Sequence, residues 1–168
     1  MYKILAREDL APVTKLFRIH APEVVRVAQP GQFVVVRLDE QGERIPLTIA
    51  DWDKKEGSLT IIFQEVGAST KRLGQLKAGD SILDLIGPLG LPSDLEKFGT
   101  VIMVGGGVGI APIYPIARAL KKAGNKVISI IGARSQDLLF WEDKMRQASH
   151  ELIVTTDDGS YGRRALVT

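Results

Sequence analysis

The sequence predicts a β + α/β fold, in which a six-stranded antiparallel barrel is followed by a parallel α/β sheet. Two observations lead to this prediction. Up to about residue 87, apolar residues recur with a short period in stretches that turns interrupt, which is typical of short strands. From about residue 100, strand-like and helix-like stretches alternate, which favours parallel strands joined by right-handed crossovers.

The first part of the chain contains six predicted strands and one helix. In the fifth strand Leu59, Ile61 and Phe63 share one face, as expected of a strand with one side in the core. The helix spans residues 68–76, and Ser69 is its predicted N-cap because serine favours that position. Short strands separated by turns predict a closed barrel. The strands cover residues 2–7, 14–20, 32–38, 45–50, 58–65 and 81–86.

The second part contains three predicted strands and two helices. One helix is predicted at residues 113–123, and another begins at Asp137 and ends near Ala148. A parallel sheet normally has about five or more strands, so we expect this part to be incomplete at its C-terminus and the natural protein to continue past Thr168. The change of pattern between Gly90 and Gly99 predicts two domains, residues 1–97 and 98–168. The strands cover residues 100–104, 126–132 and 151–155.

Two glycine-containing turns lie at the predicted starts of helices. One follows the apolar stretch 101–104, where glycines let the backbone turn tightly, and the other is residues 67–70. The N–H groups and positive dipole end of a helix N-terminus suit an anion such as a nucleotide phosphate. The glycines alone also fit a tight turn, and residues 67–70 also fit a capped surface helix. The glycines concerned are Gly105, Gly106, Gly107 and Gly109 in the first turn and Gly67 in the second.

The composition excludes several classes of function. Lys and Arg total 22 and Asp and Glu total 20, so the charge gives no reason to expect nucleic acid or an anionic membrane as a partner. The sequence has no cysteine, which excludes disulfides and cysteine-bound metals within it. His20 and His150 lack metal-ligand spacing, and no metal site or catalytic side chain is predicted. Early charges and the lack of a long apolar run predict a cytoplasmic protein without a membrane span.

Several motifs resemble those of the ferredoxin-NADP reductase family, in the same order and at plausible spacing. Residues 44–49 (RIPLTI), 67–70 (GAST) and 79–90 resemble the flavin-binding elements of that family. Residues 104–112 (VGGGVGIAP) resemble its nicotinamide-nucleotide loop. Residues 156–162 (TDDGSYG) are most similar to a subgroup of electron-transfer subunits, which includes those of dihydroorotate dehydrogenase and of NADH-dependent ferredoxin-NADP reductase and sulfide dehydrogenase.

The resemblance implies a flavoprotein oxidoreductase. It implies FAD as the bound cofactor, with FMN as the alternative, and NAD(P)H as the substrate that exchanges a hydride with the flavin. It also implies a partner redox subunit or ferredoxin, and a hetero-oligomer in the full-length form. Members of the subgroup carry a C-terminal cysteine cluster for a [2Fe-2S] centre, which this cysteine-free chain does not contain, so we expect that centre only in a longer parent. A flavin relay subunit without catalysis of its own is the alternative function.

The candidate flavin-binding residues fall into two groups in the first part of the chain. Arg44 suits a phosphate because guanidinium groups bind phosphates in a bidentate manner, although an arginine at a strand end is also often simply solvated. Gly67, Ser69 and Thr70 offer N–H groups and hydroxyls to the same diphosphate. The resemblance implies that three residues of the predicted fourth strand lie along the flavin ring, namely Pro46, Leu47 and Thr48. Gln64 contributes backbone groups to the flavin or is a plain strand end.

The candidate nicotinamide-nucleotide residues lie in the second part. The glycines of the loop, Gly105, Gly106, Gly107 and Gly109, let a diphosphate approach the backbone. Arg134 follows the second strand, where the family binds the adenosine ribose and any 2′-phosphate, so it either favours NADP(H) or rests on adenine or solvent. The neighbouring Asp157 and Asp158 either bind a ribose hydroxyl or only form a turn.

Overall fold

The computed structural model describes residues 1–167 of the chain. These residues form two units, and the chain passes from one to the other between Pro92 and Ser93. The first unit is built mainly of antiparallel strands, and the second combines parallel strands with helices. The two units are described separately below.

The first unit is a nearly closed antiparallel barrel, which confirms the predicted class. Its described residues form seven strands in the order β6-β1-β2-β5-β4-β3-β7. The predicted last strand, 81–86, is in fact two strands, because the chain leaves its pairing with β1 and joins β3 on either side of Leu83. The strands are β1 (Tyr2–Ala11), β2 (Thr14–His20), β3 (Phe33–Arg37), β4 (Ile45–Asp53), β5 (Ser58–Gln64), β6 (Ser81–Ile82) and β7 (Asp84–Leu89).

Two helices belong to the first unit, α1 (Pro22–Val27) and α2 (Ala68–Gln75). Only the helix at residues 68–76 was predicted in this part of the chain, so α1 was missed. Pro22 suits the first helical position, and Val24 and Val25 of this helix are buried. The N-cap of α2 is Gly67, so the expectation that Ser69 caps this helix was wrong. Instead the Thr70 hydroxyl lies 3.0 Å from the Gly67 nitrogen and 3.1 Å from its carbonyl oxygen, which fixes the first turn.

The barrel encloses one apolar core. Leu59, Ile61 and Phe63 of β5 are buried as predicted, and the Phe63 ring meets the ring of Phe17 edge to face at 5.1 Å. The opposite face of β5 was expected to lie outside the core, yet Ile62 on that face is only 5% exposed. Strand β5 is therefore covered on both sides, as befits its central place in the sheet.

The described part of the second unit is a sheet of four parallel strands in the order β11-β10-β9-β8. Only three strands were predicted. The missed strand has two exposed arginines and so carries no apolar pattern that would indicate a strand. The strands are β8 (Thr100–Gly106), β9 (Lys126–Ala133), β10 (Glu151–Thr156) and β11 (Arg163–Arg164).

The helices of the second unit are α3 (Ile110–Lys122) and α4 (Glu142–Ala148). Helix α3 begins three residues before the predicted start, because a 3₁₀ turn at Gly107–Gly109 leads directly into it. Helix α4 begins later than predicted. Asp137 lies in a separate 3₁₀ turn, Gln136–Leu138, and Trp141 precedes the helix in the left-handed conformation with φ 57°.

Strand β8 occupies one edge of this sheet, although its sequence is that of an apolar strand. Ile102 is 62% exposed and Val104 is 45% exposed, and both lie on the same face of the strand because side chains alternate. Parallel strands are usually buried on both faces. The described residues thus leave one face of β8 uncovered.

Candidate functional site

The N-terminus of α2 is open to an anion. Its N-cap is Gly67, which has no side chain to accept the N–H groups of the first helical turn. These N–H groups lie at the positive end of the helix dipole. Gly67 and Ala68 are exposed. The start of α2 therefore has the donors and the accessibility that a phosphate requires.

A contact between distant parts of the sequence joins the residue before Arg44 to this helix start. The Ser69 hydroxyl donates a hydrogen bond to the carboxylate of Glu43, which stands immediately before Arg44. Arg44 is exposed, and within residues 1–167 its guanidinium forms no ion pair. The two predicted diphosphate-binding elements are therefore neighbours, and the cation of one remains available.

Strand β4 presents the next predicted residues in alternation. Leu47 packs against the barrel core, so its side chain points inward. Pro46 and Thr48 lie on the opposite face because alternate residues of a strand share a face. Pro46 is exposed and Thr48 is half-buried. Of these three residues, only Pro46 and Thr48 present side chains on the outer surface of the barrel.

Gln64 ends β5, close to the start of α2. Its side-chain nitrogen lies 3.5 Å from the Thr14 hydroxyl on the neighbouring strand β2. Val66, which separates this strand end from the start of α2, is 74% exposed. The backbone of residues 64–66 therefore runs along the surface toward the helix start.

The glycine loop of the second unit follows β8. A methyl group at Gly105 would lie 2.7 Å from Ile113 Cδ1 and 2.9 Å from the Gly109 carbonyl oxygen, so the tight packing of loop and helix requires glycine there. Gly107 has a φ of 53°, in the left-handed region. Gly106 ends the strand and Gly109 precedes α3 without a capping side chain. The glycines thus form a tight turn that leads directly into α3, and no side chain caps the start of that helix.

The loops after β9 and β10 lie side by side. The Asp157 nitrogen donates to the Ala133 carbonyl and the Asp158 nitrogen to the Arg134 carbonyl, each at 3.1 Å. Arg134 and Asp157, which the sequence placed in separate loops, are therefore adjacent, and both are exposed. They occupy the carboxyl end of the sheet, where parallel sheets bind their ligands.

Two carboxylates line an open pocket at the same place: Asp158, which the sequence offered together with Asp157, and Asp137, which was not predicted as a site residue. Asp137 and Asp158 border a volume of about 570 Å³ together with Ser135, Gln136 and Ser160. The Ser160 hydroxyl donates to Asp158 at 2.6 Å and its backbone N–H donates at 2.9 Å, and these bonds lower the pKa of Asp158. Asp158 is therefore ionised at neutral pH.

An aromatic pocket of about 560 Å³ adjoins this acidic one and shares Gln136 with it. Trp141 and Tyr161 line it, and Lys144 Nζ lies 4.2 Å from the centroid of the Trp141 ring. The Tyr161 hydroxyl donates to Glu142 at 3.3 Å, which raises the pKa of the phenol. A flat apolar group fits such a pocket. Sequence reasoning missed it because Tyr161 joins the lining residues of the 136–144 stretch only through the fold.

Replacing Ser160 with alanine is expected to raise the pKa of Asp158 toward the ordinary value for aspartate. Because the pKa of Asp158 is lowered in the folded protein, its ionised carboxylate stabilises the loop at pH values above the pKa that Asp158 has in the unfolded chain. This stabilisation is lost as the pH falls through the lower pKa of Asp158 in the folded protein. In Ser160→Ala this loss of stability should occur at a higher pH. An NMR pH titration of the Asp158 carboxyl carbon measures the change, with Ser160→Thr as the hydroxyl-retaining control. Equal titration curves for wild type and Ser160→Ala would show that the Ser160 hydroxyl does not lower the pKa of Asp158.

Metal sites and membrane spans are absent from the part of the chain that the structure describes. No group of three or more His, Asp and Glu side chains is arranged to bind a metal ion there. No helix among the same residues is both long enough and apolar enough to cross a membrane.

Known proteins with similar sequences include electron transfer subunits. No protein-family model matches the chain. A protein of Thermotoga maritima named as a homologue of the electron transfer subunit of dihydroorotate dehydrogenase B (NAD(+)) is 53% identical over 152 residues, which are 90% of this chain and 54% of that protein. The electron transfer subunit of dihydroorotate dehydrogenase B (NAD(+)) from Fusobacterium nucleatum is 38% identical over 95% of this chain and 63% of that subunit.

A solved structure is similar over nearly the whole chain. The structure of the NADH-dependent reduced ferredoxin-NADP oxidoreductase superimposes with a TM-score of 0.95 at 46% identity, over 99% of this chain and 60% of that one. The chain thus spans less than two thirds of the length of these relatives. Over most of its own length the chain is thus similar to electron transfer subunits of dihydroorotate dehydrogenase B, and it shares the fold of the NADH-dependent reduced ferredoxin-NADP oxidoreductase.

Proposed function

We propose that this chain is the flavin- and nicotinamide-binding part of an electron-transfer oxidoreductase. In this function, hydride passes between NAD(P)H and bound FAD, and electrons pass to an iron–sulfur protein or partner subunit. The observation that carries the proposal is the bond from Ser69 to Glu43, the residue before Arg44, because this bond joins the two predicted diphosphate-binding elements. The names of the similar electron transfer subunits support it.

The first unit fits FAD. A diphosphate needs a cation and N–H donors, and Arg44 and the first turn of α2 supply both. Pro46 and Thr48 offer an apolar surface and a hydroxyl to the ring on the outer face of β4, whereas Leu47 contributes backbone only. When bound, FAD supplies the redox chemistry, while the protein binds and orients the reactants. We therefore assign no catalytic side chain.

We assign the nicotinamide nucleotide to the carboxyl end of the second unit. In this assignment the glycine turn at Gly107–Gly109 and the start of α3 face the diphosphate. Arg134 and Asp157 meet the adenosine half. The ionised Asp158 and the nearby Asp137 repel a 2′-phosphate, whereas carboxylates accept hydrogen bonds from a ribose 2′-hydroxyl. We therefore propose NADH as the preferred nucleotide.

In the proposed function, any [2Fe-2S] centre is bound by residues outside this sequence. A cluster of this type is bound by cysteine thiolates, and the sequence has none. The relatives are longer than this chain by more than a third of their own length. We propose that the cluster and the partner contacts belong to a longer parent protein or to a partner subunit in a hetero-oligomer, and that the second domain is completed in that parent.

A relay subunit without hydride transfer is the second candidate function. It is favoured by the names of the similar proteins, which describe electron transfer subunits and not separate enzymes. In that case the chain binds FAD through the same residues of the first unit. The loops of the second unit then have no role in reducing it.

We expect the purified chain to be yellow and to release FAD that mass spectrometry identifies. In anaerobic stopped-flow experiments, NADH should bleach the flavin absorbance at a concentration about tenfold lower than NADPH requires, because the carboxylates oppose the additional phosphate. The variant Asp158→Asn, which has the same shape without the charge, should narrow this difference. Bleaching by neither nucleotide would favour the relay, and a chain without affinity for FAD would contradict both functions.

A further inference from the structure

A buried cation lies at one end of the barrel core. Lys15 of β2 is on the same face as Phe17 and Ile19, which belong to the core, and its side chain is only 8% exposed. Lysine is seldom buried unless it is paired. Its Nζ lies 3.2 Å from an Asp9 carboxylate oxygen and 3.7 Å from one of Glu65. Glu65 thus has a partner that holds it at the end of the core.

The same Glu65 lies against helix α2. A methyl group added at Gly74 would lie 1.8 Å from Glu65 Oε1 and 2.7 Å from its Cδ, so the carboxylate occupies the space of a side chain at that position. Glycine within a helix is less favourable than alanine, and this contact explains its presence. The neighbouring Leu73 is fully buried in the core. Helix α2 is therefore fixed at this point by an apolar and a charged contact together.

We propose that Glu65, held by Lys15, is the positioning residue that sets where the first turn of α2 lies, and so how tightly that turn binds the flavin diphosphate. This inference rests on the proposed function of α2. The helix is eight residues long, so Gly74 is about 10 Å from the helix start. A short helix moves as a rigid body, and a hydrogen bond to phosphate weakens when its donors shift by a fraction of an ångström.

Three variants test the inference: Gly74→Ala, Glu65→Ala and the double variant. Gly74→Ala puts a methyl group where the carboxylate lies and displaces the helix or Glu65. We expect it to weaken FAD binding by about tenfold, because donors to the phosphates are displaced. Binding of riboflavin, which has no phosphate, should stay the same. In the double variant the methyl group fills the vacated space, so FAD affinity should return to within about threefold of wild type.

The control is Gln75→Ala, at an exposed position next to Gly74 on the same helix. It should bind FAD and riboflavin like wild type, and circular dichroism should show all variants folded at the assay temperature. The inference would be overturned by an unchanged FAD affinity in Gly74→Ala, or by equal losses of affinity for FAD and for riboflavin. It would also be overturned if the loss of FAD affinity in the double variant were the product of the two single losses.

A wild-type chain that binds neither flavin would contradict the proposed function separately. In that case, urea denaturation of wild type and the three variants tests whether Glu65 positions α2. Non-additive changes in the free energy of unfolding would support the contact between Glu65 and Gly74, and additive changes would overturn it.

Discussion

Replacing Phe63 with alanine is expected to lower the free energy of unfolding of the barrel by about 3–5 kcal/mol, the usual cost of deleting a buried phenyl ring. Phe63 is 2% exposed and its ring meets that of Phe17 at 5.1 Å. It lies on β5, which pairs with β2 on one side and β4 on the other. A cavity here therefore removes contacts from the middle of the sheet, where the surrounding strands have little freedom to collapse.

Urea denaturation followed by circular dichroism measures this loss. The control is Val27→Ala on α1, where the side chain is 50% exposed and the change should stay within about 0.5 kcal/mol. A domain of this size is stable by only about 5–15 kcal/mol, so the Phe63 variant should lose a large part of that margin. A loss below about 1 kcal/mol would show that Phe63 is not central to the core.

Replacing Arg44 with alanine should weaken FAD binding by about 1–3 kcal/mol, or about 5- to 150-fold, the range for a charge-assisted bond to phosphate. The guanidinium is exposed and has no ion pair to break among the residues that the structure describes. The substitution therefore costs little in folding stability. Its effect should fall on the ligand, and riboflavin affinity should change much less than FAD affinity.

Absorbance titration of the flavin-free protein measures this change. Arg44→Lys keeps the charge without the bidentate geometry and should give an intermediate affinity. The matched control is Arg26→Ala on α1, because Arg26 is also exposed and, within residues 1–167, its guanidinium pairs only with Glu23 on its own helix. Wild-type FAD affinity in Arg44→Ala would remove Arg44 from the proposed site and leave α2 as the remaining anchor.

The strands of the barrel could be predicted because their signal is local. Strand β2 has the predicted bounds, and residues of β5 lie in the core as their alternation indicated. The break at Leu83 was not predictable in this way, because it marks a change of pairing partner from β1 to β3 and not a change in side-chain pattern. The polar strand β11 is defined only by its pairing with β10.

Helix ends were predicted less well, because signals of similar strength compete there. Asp137 is a good capping residue, yet its carboxylate accepts the Ser135 hydroxyl at 2.5 Å inside a short turn. Helix α4 begins only after Trp141. No helix was predicted after Pro22, yet Val24 and Val25 are buried there in a short helix. A local hydrogen bond thus decided the first case, and burial of apolar side chains decided the second.

The candidate site was predicted from motifs, whereas its internal contacts were not. Arg44 and the glycines stood out because they resemble known binding elements. The bond between Glu43 and Ser69 joins residues 26 positions apart, and no local pattern predicts it. The same holds for Lys15 and Glu65, which meet only because β2 and β5 are paired.

The uncovered face of β8 has a consequence for the colloidal behaviour of the protein. An apolar edge strand without charged side chains is a template for pairing with another molecule, and a lysine in such a strand prevents this. The barrel sheet is less exposed to this hazard, because it is nearly closed and its end strands, β6 and β7, follow each other in the chain. Self-association at high concentration should therefore start at β8, and Ile102→Lys should raise the solubility limit.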